Sequence, residues 1–116
     1  MAWGRYDDDL YRHPKFEDAW ERDKASGSIW LFAASYSAHF LTDGHVPRRF
    51  VQIWFDDRKE QRRTTDALVR SGLWVPNGNG WDFHDWRDYN EPSQAILARR
   101  AEKAKKREAS RARRRA

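Results

Sequence analysis

The stretch Asp57-Arg58-Lys59-Glu60-Gln61-Arg62-Arg63-Thr64-Thr65-Asp66-Ala67-Leu68-Val69-Arg70-Ser71-Gly72-Leu73-Trp74-Val75-Pro76-Asn77-Gly78-Asn79-Gly80-Trp81-Asp82-Phe83-His84 decides the fold. Asp57 with Glu60 three residues later has the form of a capping box, with Asp in place of Ser or Thr. The spacing predicts a helix from there to about Ser71, stopped by Gly72. Two short arms follow, joined by the Asn77-Gly78-Asn79-Gly80 link, whose residues tolerate positive φ. Leu73 and Val75 are expected on one face of that hairpin, with Trp81 and Phe83 meeting them across the turn. The order is helix, strand, tight turn, strand.

Upstream, Pro14 suits the first turn of a helix, and Phe16 and Trp20 share a face, so a first helix over Pro14 to Ser26 is expected, stopped by Ser26-Gly27-Ser28. Ser28 then reads as the N-cap of a central core helix. In it Ile29, Trp30, Ala33, Ala34, Ser37, Phe40 and Leu41 recur at steps of three and four, and Asp43-Gly44 ends it. Gly44-His45-Val46 is a candidate short strand. A third helix is expected from Pro47 to Phe55, with Phe50, Val51, Trp54 and Phe55 inward. The chain is thus predicted to be mainly α with a small β-hairpin, a winged helix-turn-helix over residues 1–92. Residues 93–116 form a basic C-terminal helix, expected to dock at its start and fray into a disordered tail.

Charge is unevenly placed. Of the net +5, residues 1–90 contribute 13 Lys/Arg against 15 Asp/Glu, and residues 91–116 contribute 10 against 3. A basic extension beside a near-neutral domain suits a polyanionic partner. With no cysteine there is no disulfide, Cys zinc site or thiol nucleophile. No window approaches the ~20 apolar residues of a membrane span, and the N-terminus lacks the form of a signal peptide. A cytoplasmic location is expected, with no membrane partner.

On the helix over 58–71, Lys59, Arg62, Arg63, Asp66 and Arg70 share one face, and Gln61, Thr64, Ala67, Leu68 and Ser71 turn toward the core. Arginines on such a face suit the major groove of duplex DNA, where guanidinium groups bond guanine edges. Arg58 and Thr65 join this candidate set. From the 73–84 wing, Asn77 and Asn79 would add contacts to phosphates or minor-groove edges. In the tail, Lys103, Lys105, Lys106, Arg107 and Arg111 would track the backbone without sequence choice. His13, His39, His45 and His84 show no metal-ligand spacing, and His39 is expected packed in the core. The sets Asp7-Asp8-Asp9 and Asp82, Asp85, Asp88 are read as solvated acids or helix caps. Trp74, Trp81, Trp86 and Tyr89 are read as core rather than as base-stacking rings. No catalytic constellation, metal or cofactor is called for.

Several pieces carry a resemblance: Trp3 with Asp7-Asp8, His13-Pro14-Lys15-Phe16, Leu41-Thr42-Asp43-Gly44-His45-Val46-Pro47, Leu68-Val69-Arg70-Ser71-Gly72-Leu73-Trp74, and Phe83-His84-Asp85-Trp86-Arg87-Asp88-Tyr89-Asn90 before the basic helix. Over most of residues 3–100 the chain resembles a recurrent winged-helix domain of actinobacterial phages and mobile elements, often linked to replication initiation. The resemblance implies a DNA-binding protein, as an initiator or a stand-alone accessory factor. A contrasting expectation is a protein-interaction module that engages a host or replication protein. That reading predicts an exposed aromatic patch, with Trp3, Trp20 or Trp86 in it. A third is RNA binding through the tail alone. Oligomeric state is left open, since no heptad zipper of useful length occurs.

Overall fold

The computed structural model describes residues 10–115. A single 3-10 turn (Leu10–Arg12) leads into α1 (Pro14–Arg22), followed by α2 (Ser26–Phe40), β1 (His45–Pro47), α3 (Arg48–Ile53) and α4 (Arg58–Arg70). Then come β2 (Trp74–Asn77), β3 (Gly80–Phe83), a short α5 (Trp86–Tyr89) and a long α6 (Ser93–Arg115). The three strands form one antiparallel sheet in the order β1-β3-β2. A hairpin whose second strand also pairs with a strand lying before the two preceding helices is the winged-helix arrangement. The chain is therefore mainly α, of winged-helix type, with a basic C-terminal helix.

Several boundaries differ from the sequence expectation, each for a local reason. Helix α1 stops at Arg22 because Asp23 turns extended, and its carboxylate accepts the Thr64 hydroxyl hydrogen instead of continuing the helix. The next helix starts at Ser26 rather than after a Ser28 cap, and Ser26 is buried. It ends at Leu41, which is left-handed at φ 56°, before Asp43-Gly44 is reached. Pro47 lies at the end of β1, so α3 is shorter than expected at both ends.

The hairpin faces are shifted by one residue from expectation. Trp74 pairs with Phe83 and Pro76 with Trp81, which puts buried Trp74, Trp81 and Phe83 on the core face with exposed Pro76 at its edge, while Val75 pairs with Asp82 on the outer face. In a strand a one-residue slip moves every side chain to the opposite face. Trp74, which is almost wholly buried, provides the inward anchor. The connection is two residues long, Gly78-Asn79, since Asn77 and Gly80 are still paired. Positive φ falls on Gly78 alone of the two, the type II′ pattern.

The core is a chain of rings across the layers. Trp30 of α2 meets Phe16 of α1 edge-on at 5.5 Å between centroids and Phe83 of β3 at 5.6 Å. Phe83 in turn meets Trp74 at 5.8 Å and Trp86 at 5.3 Å. Such edge and tilted pairs add roughly 0.5–1.5 kcal/mol each beyond the area they bury. Ala33, Val46, Val51 and Leu68 fill the space between them.

The loop from α2 into β1 is closed by a hydrogen-bond relay. The Gly44 N–H donates to Ser37 Oγ (2.7 Å), Ser37 Oγ bonds Thr42 Oγ1 (2.5 Å), and Thr42 Oγ1 donates to the His45 carbonyl (2.7 Å). Gly44 lies at φ 89° and a Cβ there would come within 2.7 Å of the Trp86 Cβ, so both conformation and space demand glycine. Asp43, also left-handed at φ 55°, turns its carboxylate onto the first residue of α6. It accepts from Ser93 N–H and Ser93 Oγ, both at 2.7 Å.

Helix α6 runs from Ser93 to Arg115. It buries no residue. Its helicity rests on Ala, Lys, Arg and Glu propensity over 23 residues and on the cap from Asp43. A helix of that length extends about 34 Å, which accounts for much of the longest molecular dimension, 64 Å.

Candidate nucleic-acid interface

Helix α4 begins as its sequence requires. Asp57 is extended and its side chain accepts from the Lys59 N–H at 2.8 Å, satisfying one of the open donors of the first turn. Glu60 adds a negative charge at the positive end of the helix. One face is locked into the body, with Thr64, Thr65, Ala67 and Leu68 buried. The opposite arc carries Arg58, Lys59, Arg62, Asp66, Arg63 and Arg70, all exposed. At 3.6 residues per turn these six span about 140° of the helix surface.

Among the described residues, none of the five cations on this arc is held in an ion pair. Asp66 lies in the middle of the arc and pairs with none of them, so it lowers the local potential without orienting an arginine. Thr65 does not belong to the surface. It is 5% exposed, and its hydroxyl is shared between the Gln61 and Arg62 carbonyls at 3.1 and 3.2 Å. Back-bonding of this kind is how a threonine satisfies its hydroxyl inside a helix.

The wing is short and partly self-satisfied. Asn77 and Asn79 are both exposed. The Asn77 amide, however, donates to Asp82 Oδ2 at 2.7 Å, and Asp82 Oδ1 holds His45 Nδ1 at 2.7 Å. Asn77 therefore acts first as a strut across the three strands. Asn79 keeps its side chain for solvent, while its carbonyl accepts from the Arg48 N–H at 2.9 Å. That bond brings the start of α3 to the wing turn, and the Arg48 guanidinium lies over the Trp81 ring at 4.9 Å. Arg48 is exposed and belongs beside the wing, a placement absent from the sequence expectation. The one available signal is Pro47-Arg48-Arg49. It becomes meaningful only once β1 is known to pair with β3.

The tail cations are sorted by the helix that carries them. Lys103, Lys106, Arg107 and Arg111 lie on the side of α6 shared with Ile96, whereas Lys105 falls on the opposite side. Near the body, Arg99, Arg100, Lys103 and Arg107 border an open groove of about 670 Å³, completed by His39 and Trp86. No residue of α4 lines this groove. Arg99 is engaged by Glu91 at 2.7 Å, an exposed pair of small energetic weight.

The histidines have local partners. His13 caps α1 by accepting from the Lys15 N–H at 3.2 Å. His84 Nδ1 is 2.5 Å from Asp85 and 3.4 Å from Lys15 Nζ. Against expectation His39 is exposed, edge-on to Phe40 at 4.6 Å, because it lies on the side of α2 opposite buried Ser37 and Ala33. Among the described residues no group of three or more His, Asp or Glu is placed to hold a metal ion, and no helix is long and apolar enough to cross a membrane. The Asp7–Asp9 run, Trp3 and the Tyr89 side chain lie outside the described residues. Trp74, Trp81 and Trp86 are buried, Trp74 packing on Trp81 and both Trp74 and Trp86 on Phe83, as core residues do. Trp20, on the other hand, is half exposed, with Lys24 Nζ 5.3 Å from its ring centre.

Compared with protein-family models, with curated proteins and with solved structures, the chain matches none.

Proposed function

We propose that this chain binds duplex DNA, with α4 as the groove-facing helix and α6 as an electrostatic extension. The observation that carries the proposal is the exposed arc of α4. It bears five cations without ion-pair partners among the described residues, on a helix whose other face is fixed in the core. Arg58, Lys59, Arg62, Arg63 and Arg70 are the contacting residues in this reading. Asn79 and Arg48 support from the wing, and Lys103, Lys106, Arg107 and Arg111 neutralise phosphates. Buried Thr65 has no part in the set. The resemblance to phage and mobile-element domains supports a role in replication initiation or transcription control, in a cytoplasmic setting, with no reaction and no cofactor assigned.

The experiment is duplex binding across a salt series for the full chain and for a chain ending at Arg100. Salt-sensitive binding that survives the truncation supports recognition by the winged domain. Complete loss on truncation leaves the tail as the sole nucleic-acid element. Absence of binding by both forms rejects the proposal.

A second reading, a protein-interaction module for a host or replication protein, is favoured by one observation. Large apolar side chains are exposed on α2 and α3.

A further inference from the structure

Helix α2 contains no Asp, Glu, Lys or Arg over its 15 residues, yet only one side of it is buried. Phe32, Tyr36 and Phe40 recur at every fourth position and form a ridge. Phe32 is 51% and Phe40 59% exposed. Helix α3 continues the surface. Tyr36 meets Phe50 at 4.0 Å, Phe40 lies 6.3 Å from Phe50, and Phe32 lies 5.9 Å from Trp54. Ile53, 73% exposed, projects beside them. A helix without charge is expected to be covered on all sides. Here half the cover is missing, and contiguous apolar surface of this kind marks a contact site.

We infer that this α2–α3 face is the interface of a homodimer. Area and charge both favour a second copy over another occupant. Phe32, Phe40 and Ile53, each half exposed or more, offer roughly 370 Å² of apolar surface if a large side chain carries about 200 Å². The half-buried rings of Tyr36, Phe50 and Trp54 add to it. A standard interface buries about 800 Å² per partner, a little over half of it apolar, so the strip supplies the apolar share of one.

The charges around it are self-complementary. Exposed Arg49 flanks the strip at the start of α3 and exposed Asp56 flanks it just beyond the end. Two α3 helices antiparallel about a two-fold axis near Ile53 set Arg49 of each copy against Asp56 of the other, the reciprocal pairing an isologous interface requires. The inference does not rest on the DNA reading. If both hold, each particle presents two α4 helices and expects two half-sites.

Sedimentation equilibrium of the full chain, from micromolar to near-millimolar concentration, tests it. The expected particle has twice the 13.9 kDa chain mass. Ile53→Glu should weaken association at least about 30-fold, the loss typical of a central interface residue, with an unchanged far-UV spectrum. Arg49→Glu should weaken it by less, and Arg49→Glu with Asp56→Arg should restore it, a rescue that loss of apolar area alone would not produce. A wild-type chain that stays monomeric throughout overturns the inference. So does a dimer indifferent to Ile53→Glu, or one that the double charge swap fails to restore.

Discussion

Helices α4 and α6 carry comparable runs of positive charge, but different forces hold them. In α4 the cations are the solvent half of an amphipathic helix whose other half is packed in the core, so their positions are set to within the rigidity of the domain. In α6 nothing is buried, and the helix is fixed to the body at its first turn, chiefly through Asp43. The number of charges therefore does not define a reading surface. Cations on a packed helix can be matched to base edges, which demand fixed geometry, while those on an unpacked one can only follow phosphates.

The packed body that fixes α4 is most vulnerable at Gly44. Gly44→Ala strains a left-handed residue and forces the new methyl into Trp86. A loss of about 3 kcal/mol or more is expected, seen as a Tm roughly 10 °C lower by calorimetry. If Tm is unchanged, the α2–β1 loop does not constrain the body as described.

The next effect is on α4 alone. Arg62→Ala with Arg63→Ala should weaken binding to a preferred duplex about 100-fold while leaving Tm within a degree or two. Equal binding by the double variant would remove α4 from the interface. Smaller, and different in kind, is truncation after Arg100. It should reduce affinity for all duplexes alike and flatten the log–log salt dependence by about one unit for each phosphate no longer neutralised. A truncated chain that loses sequence preference but keeps its salt slope would reverse the roles assigned to the two helices. The smallest is Asp43→Ala, expected to cost about 1 kcal/mol of helix capping and to speed amide exchange in the first turn of α6 only. Faster exchange throughout α4 would show that the two helices are not independently held.

Whether a feature is legible in the sequence depends on whether it is local. The α4 cap at Asp57, its buried Thr64, Ala67, Leu68 and Ser71, and its exposed arginines follow from spacing alone, and all are found. Thr65 escapes such reasoning because its angular position lies at the border of the buried arc, where only packing against α1 and α2 decides. The strand faces escape it for a similar reason. Leu73, Val75 and Trp74 are all apolar, so period-two patterning is ambiguous until β1 pairs with β3 and turns Trp74 inward. Asn77 looks available in the sequence because its partner, Asp82, is supplied across the turn. Arg48 carries no local sign of its position, since its neighbour Asn79 lies 31 positions away. The apolar run of α2 has the pattern of core throughout, and nothing in a single sequence tells which half of an uncharged helix another chain would cover.

The central position of β3 also bears on the order of assembly. The β2–β3 hairpin closes over a two-residue turn and can form within microseconds. Pairing His45 with Asp82 must bridge 37 positions, and seating Ser93 on Asp43 must bridge 50. Each longer closure costs more chain entropy before any contact repays it. Helix α4 and its hairpin should therefore be in place before the tail acquires a fixed direction. In refolding followed by pulsed hydrogen exchange, the Ser93 amide should be among the last to gain protection, later than the amides of β2.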